Sequence, residues 1–269
     1  MSTTRTIALK TDKLIAEVAD GIGWLTFNNP ERRNAISLEM WAGLGDVLQA
    51  FQHDDAVRVV VMKGAGGKAF ASGADISEFG EKRSNAEQRQ QYGEVAEAGR
   101  LWLNKLDKPL VAMIQGFCIG GGLAVSLSAD VRFAAEGSTF GIPAAKLGLG
   151  YDYGGVAALA RLVGPSSARD ILFSARFFDA AEALRMGLLN FVVPEAELES
   201  RVRQYAATIA RNAPLTIRAA KAAVNTYERY SRTESGHIAE MIDRCFNSED
   251  YIEGRKAFME KRTPQFKGR

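Results

Sequence analysis

Apolar positions change their period several times along the chain, and each change marks an element. Residues 14–17 and 22–27 alternate or run apolar around Asp20-Gly21, which predicts a β-hairpin, and Asn28-Asn29-Pro30 ends it. From Ser37, an N-cap candidate, the residues Leu38, Trp41, Leu44, Val47, Leu48 and Phe51 keep helical spacing as far as His53. Residues 57–62 are a β-branched run, the mark of a strand covered on both faces, and Gly64, Gly66 and Gly67 stop it. A loop is expected there. Residues 81–91 are rich in charge and amides and read as a helix or loop. Residues 110–115 predict a further core strand. Residues 116–122 are glycine-rich, 123–129 are apolar and helix-compatible, and 131–135 predict another short strand.

Beyond Gly148 the pattern becomes helical, over 166–174 and then 179–186. In the latter, Asp179 and Glu182 have capping-box spacing and Gly187 supplies a left-handed C′ residue. Further helices are predicted over 195–211, 214–229, 232–246 and 248–261. The chain thus reads as an α/β part, residues 1–195, followed by a helical region, residues 196–269.

Length and charge narrow the function classes. The 269 residues suit one domain with an extension, and a net charge of +2 with both signs interspersed carries no basic stripe for nucleic acid. A small-molecule partner is expected, with no membrane and a cytoplasmic location, since residues 1–12 have no apolar leader and no apolar run reaches about 18 residues. Cys118 and Cys245 stand far apart, so neither a disulfide framework nor a zinc site is suggested.

Candidate chemistry is sparse. Gly64-Ala65-Gly66-Gly67-Lys68-Ala69 matches the loose dinucleotide fingerprint, but Phe70 to Gly73 does not open a helix and no acidic residue follows about 20 positions on. It reads as a loop tip. No Walker A, HExxH or G-x-S-x-G sequence occurs, and His53 and His237 read as surface or helix-cap residues. What remains is a pair of glycine-containing turns, each after a buried strand. In the second, Gly120-Gly121-Gly122 precedes an apolar helix. This either leaves backbone N–H groups to bind an oxyanion or serves close packing of helix on strand.

Together with Ala69-Phe70-Ala71-Ser72-Gly73-Ala74-Asp75, that turn resembles the enoyl-CoA hydratase/isomerase, or crotonase, superfamily. The likeness extends over Asn28-Asn29-Pro30, Arg33-Asn34-Ala35, Lys108-Pro109-Leu110-Val111-Ala112 and Ala129-Asp130-Val131-Arg132. It continues through Phe140-Gly141-Ile142-Pro143, Lys146-Leu147-Gly148 and Val192-Val193-Pro194, in the family's order. The resemblance implies the crotonase fold, a spiral of ββα units with a C-terminal helical trimerisation region, as a homotrimer or hexamer. It implies an acyl-CoA substrate, with coenzyme A arriving as part of the substrate and no permanently bound cofactor. It makes the N–H groups of Ala74 and Gly121 an oxyanion hole. It places coenzyme A near Ala71, Gly73, Ala74, Asp75, Ile76 and Ser77, with Gly120 and Tyr151 also at the substrate. The tail around Glu253 to Phe258 resembles the segment that closes over coenzyme A, with Lys261 or Arg262 toward its phosphates.

One departure is plain: where the family's hydratases carry two glutamates, this chain has Ala124 and Ala144. Alanine moves no proton. Asp152, in Gly150-Tyr151-Asp152-Tyr153-Gly154-Gly155, matches the position of a catalytic aspartate in the family's dienoyl-CoA isomerases and aryl-CoA dehalogenases. Its neighbouring tyrosines are expected to exclude water from it. The competing reading is an Asp that caps the helix starting near Gly154. Expected activities are therefore isomerisation or an atypical hydration through Asp152. Dehalogenase- or decarboxylase-like chemistry and a non-catalytic acyl-CoA-binding protein are the alternatives. Tyr153 and Tyr92 are further pocket candidates, and Glu94 a weaker one; Glu136 reads as solvated.

Overall fold

The computed structural model describes residues 4–75, 86–212, 214–229, 246–262 and 264. The expected helix over 232–246 lies almost wholly outside them, as do Ile76, Ser77, Cys245 and His237.

The hairpin forms between β2 (Leu14–Ala19) and β3 (Ile22–Phe27), with Ala19 opposite Ile22. Asp20 and Gly21 both take positive φ, 54° and 80°, the geometry of a two-residue turn whose twist matches its strands. Strand β1 (Arg5–Ile7) adds to its outer edge. On the other side, β3 pairs in parallel with β4 (Val59–Gly64), and the sheet continues through β6 (Leu110–Ile114), β8 (Val131–Ala135) and β11 (Phe191–Val193).

A second, smaller sheet is built from strands of three residues each: β5 (Ala69–Ala71), β7 (Phe117–Ile119), β9 (Thr139–Gly141) and β10 (Phe177–Asp179). Sequence patterning takes these stretches for loop and glycine-rich turn, because three residues cannot display a period. Their arrangement makes the spiral visible. In each of the successive pairs β4–β5, β6–β7 and β8–β9, the first strand joins the large sheet and the second joins the small one. The dinucleotide-like segment is the link between β4 and β5, and no helix opens there.

The large sheet is covered on both faces, which explains its β-branched runs. Val60, Met62, Leu110, Ala112 and Ile114 enter the main core with α1 (Leu38–His53). The alternate residues Val59, Val61, Val111 and Met113 meet Leu198, Val202 and Ala206 of α6 (Leu198–Arg211) on the opposite face. Before these come α2 (Ala86–Lys105), α3 (Gly121–Leu127), α4 (Tyr153–Ser174) and α5 (Ala180–Arg185). After them come α7 (Pro214–Arg229) and α8 (Glu249–Met259). Helix α4 begins 13 residues before the predicted 166, and it bends at Gly164, whose φ of 76° precedes Pro165. Among the described residues no helix is long and apolar enough to cross a membrane.

Caps follow local chemistry. The Ser37 side chain accepts from the Met40 N–H and opens α1, and Asp179 accepts from the Glu182 N–H and opens α5. The Glu182 carboxylate does not complete a capping box. It pairs instead with Arg176, whose guanidinium holds it below the usual carboxylate range.

Two buried cations brace the spiral. Lys108, 1% exposed, donates to the carbonyls of Phe51 and Asp54 and so closes the C-terminal end of α1, although burial lowers its pKa. Arg132, 3% exposed, donates to the Leu188 carbonyl at 2.7 Å and to the carbonyls of Ser126 and Ala129, tying the end of α3 to the chain after α5. Arg132→Met removes this donor from the buried Leu188 and Ala129 carbonyls and should lower stability by about 3 kcal/mol. Urea unfolding followed by far-ultraviolet circular dichroism measures this, and a loss below about 1 kcal/mol would contradict the bracing role.

Candidate active site

The site begins where β5 meets the chain entering α1. Ile36 and Ala74 form a parallel bridge: the Ile36 N–H donates to the Gly73 carbonyl at 2.7 Å, and the Asp75 N–H donates to the Ile36 carbonyl at 3.0 Å. Across a planar trans peptide, carbonyl and N–H point in opposite directions. Anchoring the Gly73 carbonyl on Ile36 therefore turns the Ala74 N–H the other way. Gly73 reaches this geometry at φ 114°, a region that side chains disfavour.

The second turn comes alongside it. Gly120 has φ 53° and ψ −116°, its N–H donates to the Gly141 carbonyl at 2.8 Å, and its carbonyl accepts from the Ala124 N–H at 2.9 Å. That leaves the Gly121 N–H at the open start of α3, where a helix has no partner for it. A Cβ on Gly121 would lie 3.3 Å from the Ala74 nitrogen, so the two N–H groups are neighbours. A Cβ on Gly122 would fall 2.1 Å from the Ala71 carbonyl oxygen. Both readings of the glycine run thus hold at different residues. Gly122 serves close packing on β5, and Gly120-Gly121 present backbone to a cavity. Two convergent neutral donors of this kind can receive a carbonyl oxygen and stabilise it as it gains negative charge.

The cavity has a volume of about 990 Å³ and an apolar wall. Gly73, Ala74, Asp75, Gly120, Gly121, Tyr151 and Asp152 all line it, as sequence reasoning expects. Ala71 is not on its wall: it is fully buried beneath Gly122. Ala124 and Ala144 also line the cavity, so the places of the hydratase glutamates face it with methyl groups. Helix α8 closes one side with Phe258 and Met259, because Gly254 lets it settle on the turn at Pro143–Leu147; a Cβ there would meet the Leu147 oxygen at 2.2 Å.

Asp152 is both cap and cavity residue. Its Oδ1 accepts from the Gly155 N–H at 2.9 Å and starts α4, while Oδ2 lies 3.5 Å from Arg100 Nη1. Its side chain is 53% exposed in this chain, so the adjacent tyrosines do not exclude water from it. Tyr151 points its hydroxyl at the Gly120 carbonyl, 3.4 Å away, and burial, reinforced by the charge of Asp152, pushes its pKa up. It stays a neutral hydrogen-bond donor beside the paired N–H groups. Tyr153 is not part of the cavity wall. Tyr92 is, whereas Glu94 is exposed and accepts from Gln90 of the wall. Glu136 is solvated as read. Asp75 pairs with Arg32 at 3.2 Å, and Arg262 pairs with Glu253 and Glu260 at 2.6 Å each.

Sequence reasoning missed Arg100 and Trp41 as cavity residues. The available signal was a stripe on α2, Tyr92, Ala96, Arg100 and Leu103, spaced by four, four and three.

Similarity to known proteins agrees with this geometry. The family described as enoyl-CoA hydratase/isomerase matches residues 17–269. A short-chain-enoyl-CoA hydratase of Clostridium acetobutylicum is 34% identical over 255 residues, covering 94% of this chain and 97% of the relative. The structure of an enoyl-CoA hydratase/carnithine racemase from Magnetospirillum magneticum superposes with a TM-score of 0.80 at 35% identity, covering 97% of both chains. A methylmalonyl-CoA decarboxylase complexed with 2S-carboxypropyl CoA superposes at 0.86 with 28% identity, covering 97% of this chain and all of the other. With this match over nearly its whole length, and with paired strands shared between two sheets, the chain belongs to the enoyl-CoA hydratase/isomerase family and has the crotonase fold.

Proposed function

We propose that the protein isomerises an unsaturated acyl-coenzyme A thioester. The thioester oxygen is held by the N–H groups of Ala74 and Gly121, and Asp152 carries the proton. The observation that carries this reading is the pair of adjacent N–H groups on the wall of the cavity, with Asp152 lining the same cavity and alanine at the two positions where the family's hydratases carry glutamate. The related proteins named above all act on, or hold, coenzyme A thioesters, which supports the substrate class.

The chemistry balances without water. The Asp152 carboxylate takes a proton from the α-carbon of a β,γ-unsaturated thioester, and the C–H electron pair flows into the carbonyl to give a dienolate whose oxygen rests on the two N–H groups. The carboxylic acid then returns the proton to the γ-carbon, leaving the α,β-unsaturated isomer at unchanged mass. Coenzyme A enters and leaves as part of the substrate, no resident cofactor takes part, and the working assembly in this reading is a homotrimer or hexamer.

A second reading is decarboxylation, favoured by the small apolar side chains of Ala124 and Ala144 on the cavity wall. There the bond from the α-carbon to a carboxylate breaks, carbon dioxide leaves, and the electron pair forms an enolate whose oxygen rests on the same two N–H groups. A proton from water then completes the thioester. Product mass separates the two, since only decarboxylation removes carbon dioxide.

Asp152→Asn should lower turnover of a β,γ-enoyl-CoA about 10²-fold or more while leaving thioester affinity within a few-fold. The assay is the absorbance of the conjugated product, checked by mass, and equal turnover by the two proteins would remove Asp152 from the mechanism. Gly121→Pro deletes one N–H at a helix position that tolerates proline, and should lower turnover by about 10²- to 10³-fold with the circular dichroism spectrum retained. Full activity in that variant would overturn the assignment of the Gly121 donor.

A further inference from the structure

Arg100 is a charged cavity residue that the proposed reaction does not use. It interrupts the apolar cavity face of α2, between Ala96 and Leu103. Its guanidinium lies over the Trp41 ring, 5.5 Å from the centroid, a face that holds a planar cation while shielding one side of it from water.

Its protein partners do not fill its donor fork. Asp152 Oδ2 and Glu97 Oε2 each lie 3.5 Å away, well beyond the roughly 2.7–2.9 Å of a charge-assisted hydrogen bond. Asp152 is held at that distance because its other oxygen is bound at 2.9 Å to the Gly155 N–H. The Glu97 side chain is 70% exposed, so water screens it. A guanidinium offers five N–H donors in a planar fork suited to a carboxylate, and this one keeps that capacity at the cavity wall.

The position of Arg100 says which part of a ligand it meets. Tyr151 reaches the Gly120 carbonyl beside the N–H pair, Asp152 follows Tyr151, and Arg100 lies next to Asp152. On the proposed reading, in which Asp152 faces the reacting carbons, Arg100 beside it meets the acyl chain. The other cavity arginines, Arg32 and Arg33, come from the segment before α1, where Arg32 pairs with Asp75 and Arg33 lies over Phe117.

We propose that Arg100 binds a carboxylate at the far end of the acyl chain, so that the preferred substrates are monothioesters of dicarboxylic acids with coenzyme A. The proposal rests on reading the cavity as an acyl-CoA site. Electrostatics sharpen it: with Arg100 present its charge offsets Asp152, and without it an acidic acyl tail would face Asp152 and Glu97 unopposed.

The test is calorimetric binding at low ionic strength of succinyl-, glutaryl- and adipyl-CoA against butyryl-, pentanoyl- and hexanoyl-CoA, with wild type, Arg100→Met and Arg100→Lys. Methionine keeps an unbranched stem on Trp41. Wild type should bind at least one diacid thioester about 10-fold more tightly than its neutral counterpart. Arg100→Met should abolish or reverse that preference while neutral thioesters bind within a few-fold of wild type, and Arg100→Lys should restore part of it. Absence of preference in wild type, or its persistence in Arg100→Met, overturns the role of Arg100 while leaving the acyl-CoA site standing. Failure of every thioester to bind wild type overturns both.

Discussion

The contact of α3 with β5 is the constraint on which the site depends. Gly122 lies so close to the Ala71 carbonyl that any side chain would collide with backbone, and this approach seats the start of the helix against the end of the strand. From that seat the neighbouring Gly121 N–H comes beside the Ala74 N–H, which the Ile36 bridge has already turned outward. Neither donor is a side chain, so the geometry is held by backbone hydrogen bonding and by the absence of a Cβ. The spiral supplies both partners of the contact, because successive units place β5 and β7 side by side in the small sheet and α3 follows β7 directly.

Around this rigid pair the cavity is made of interchangeable parts. Ala124 and Ala144 line it with small apolar side chains, and Asp152 brings a carboxylate to it. That carboxylate does two jobs: one oxygen caps α4 and the other faces Arg100. The cap fixes its position, which is what the proposed role as proton carrier requires. The helices that complete the wall come from distant parts of the chain and set its character through Trp41 of α1, Arg100 of α2, and Phe258 and Met259 of α8. A fold that keeps its donors in backbone and its acids in side chains can exchange one reaction for another without rebuilding the scaffold.

Local chemistry made much of this chain legible in its sequence. The Asp20-Gly21 hairpin, the Ser37 and Asp179 caps, the left-handed Gly187 and the doubly covered strands β4 and β6 all follow from interactions among residues close in the chain. The glycine turns, with Ala74, Gly121 and Asp152, were likewise visible as a pattern of residue types in order. The tertiary structure decided the rest. The three-residue strands of the small sheet are too short for a period and exist through pairing across the spiral. Gly122 and Gly121 have the same side chain and opposite uses, and only their neighbours tell them apart. Arg100 and Asp152, 52 positions apart, meet because α2 and the start of α4 pack around one cavity, a contact that depends on where helices settle and leaves no mark on either segment alone.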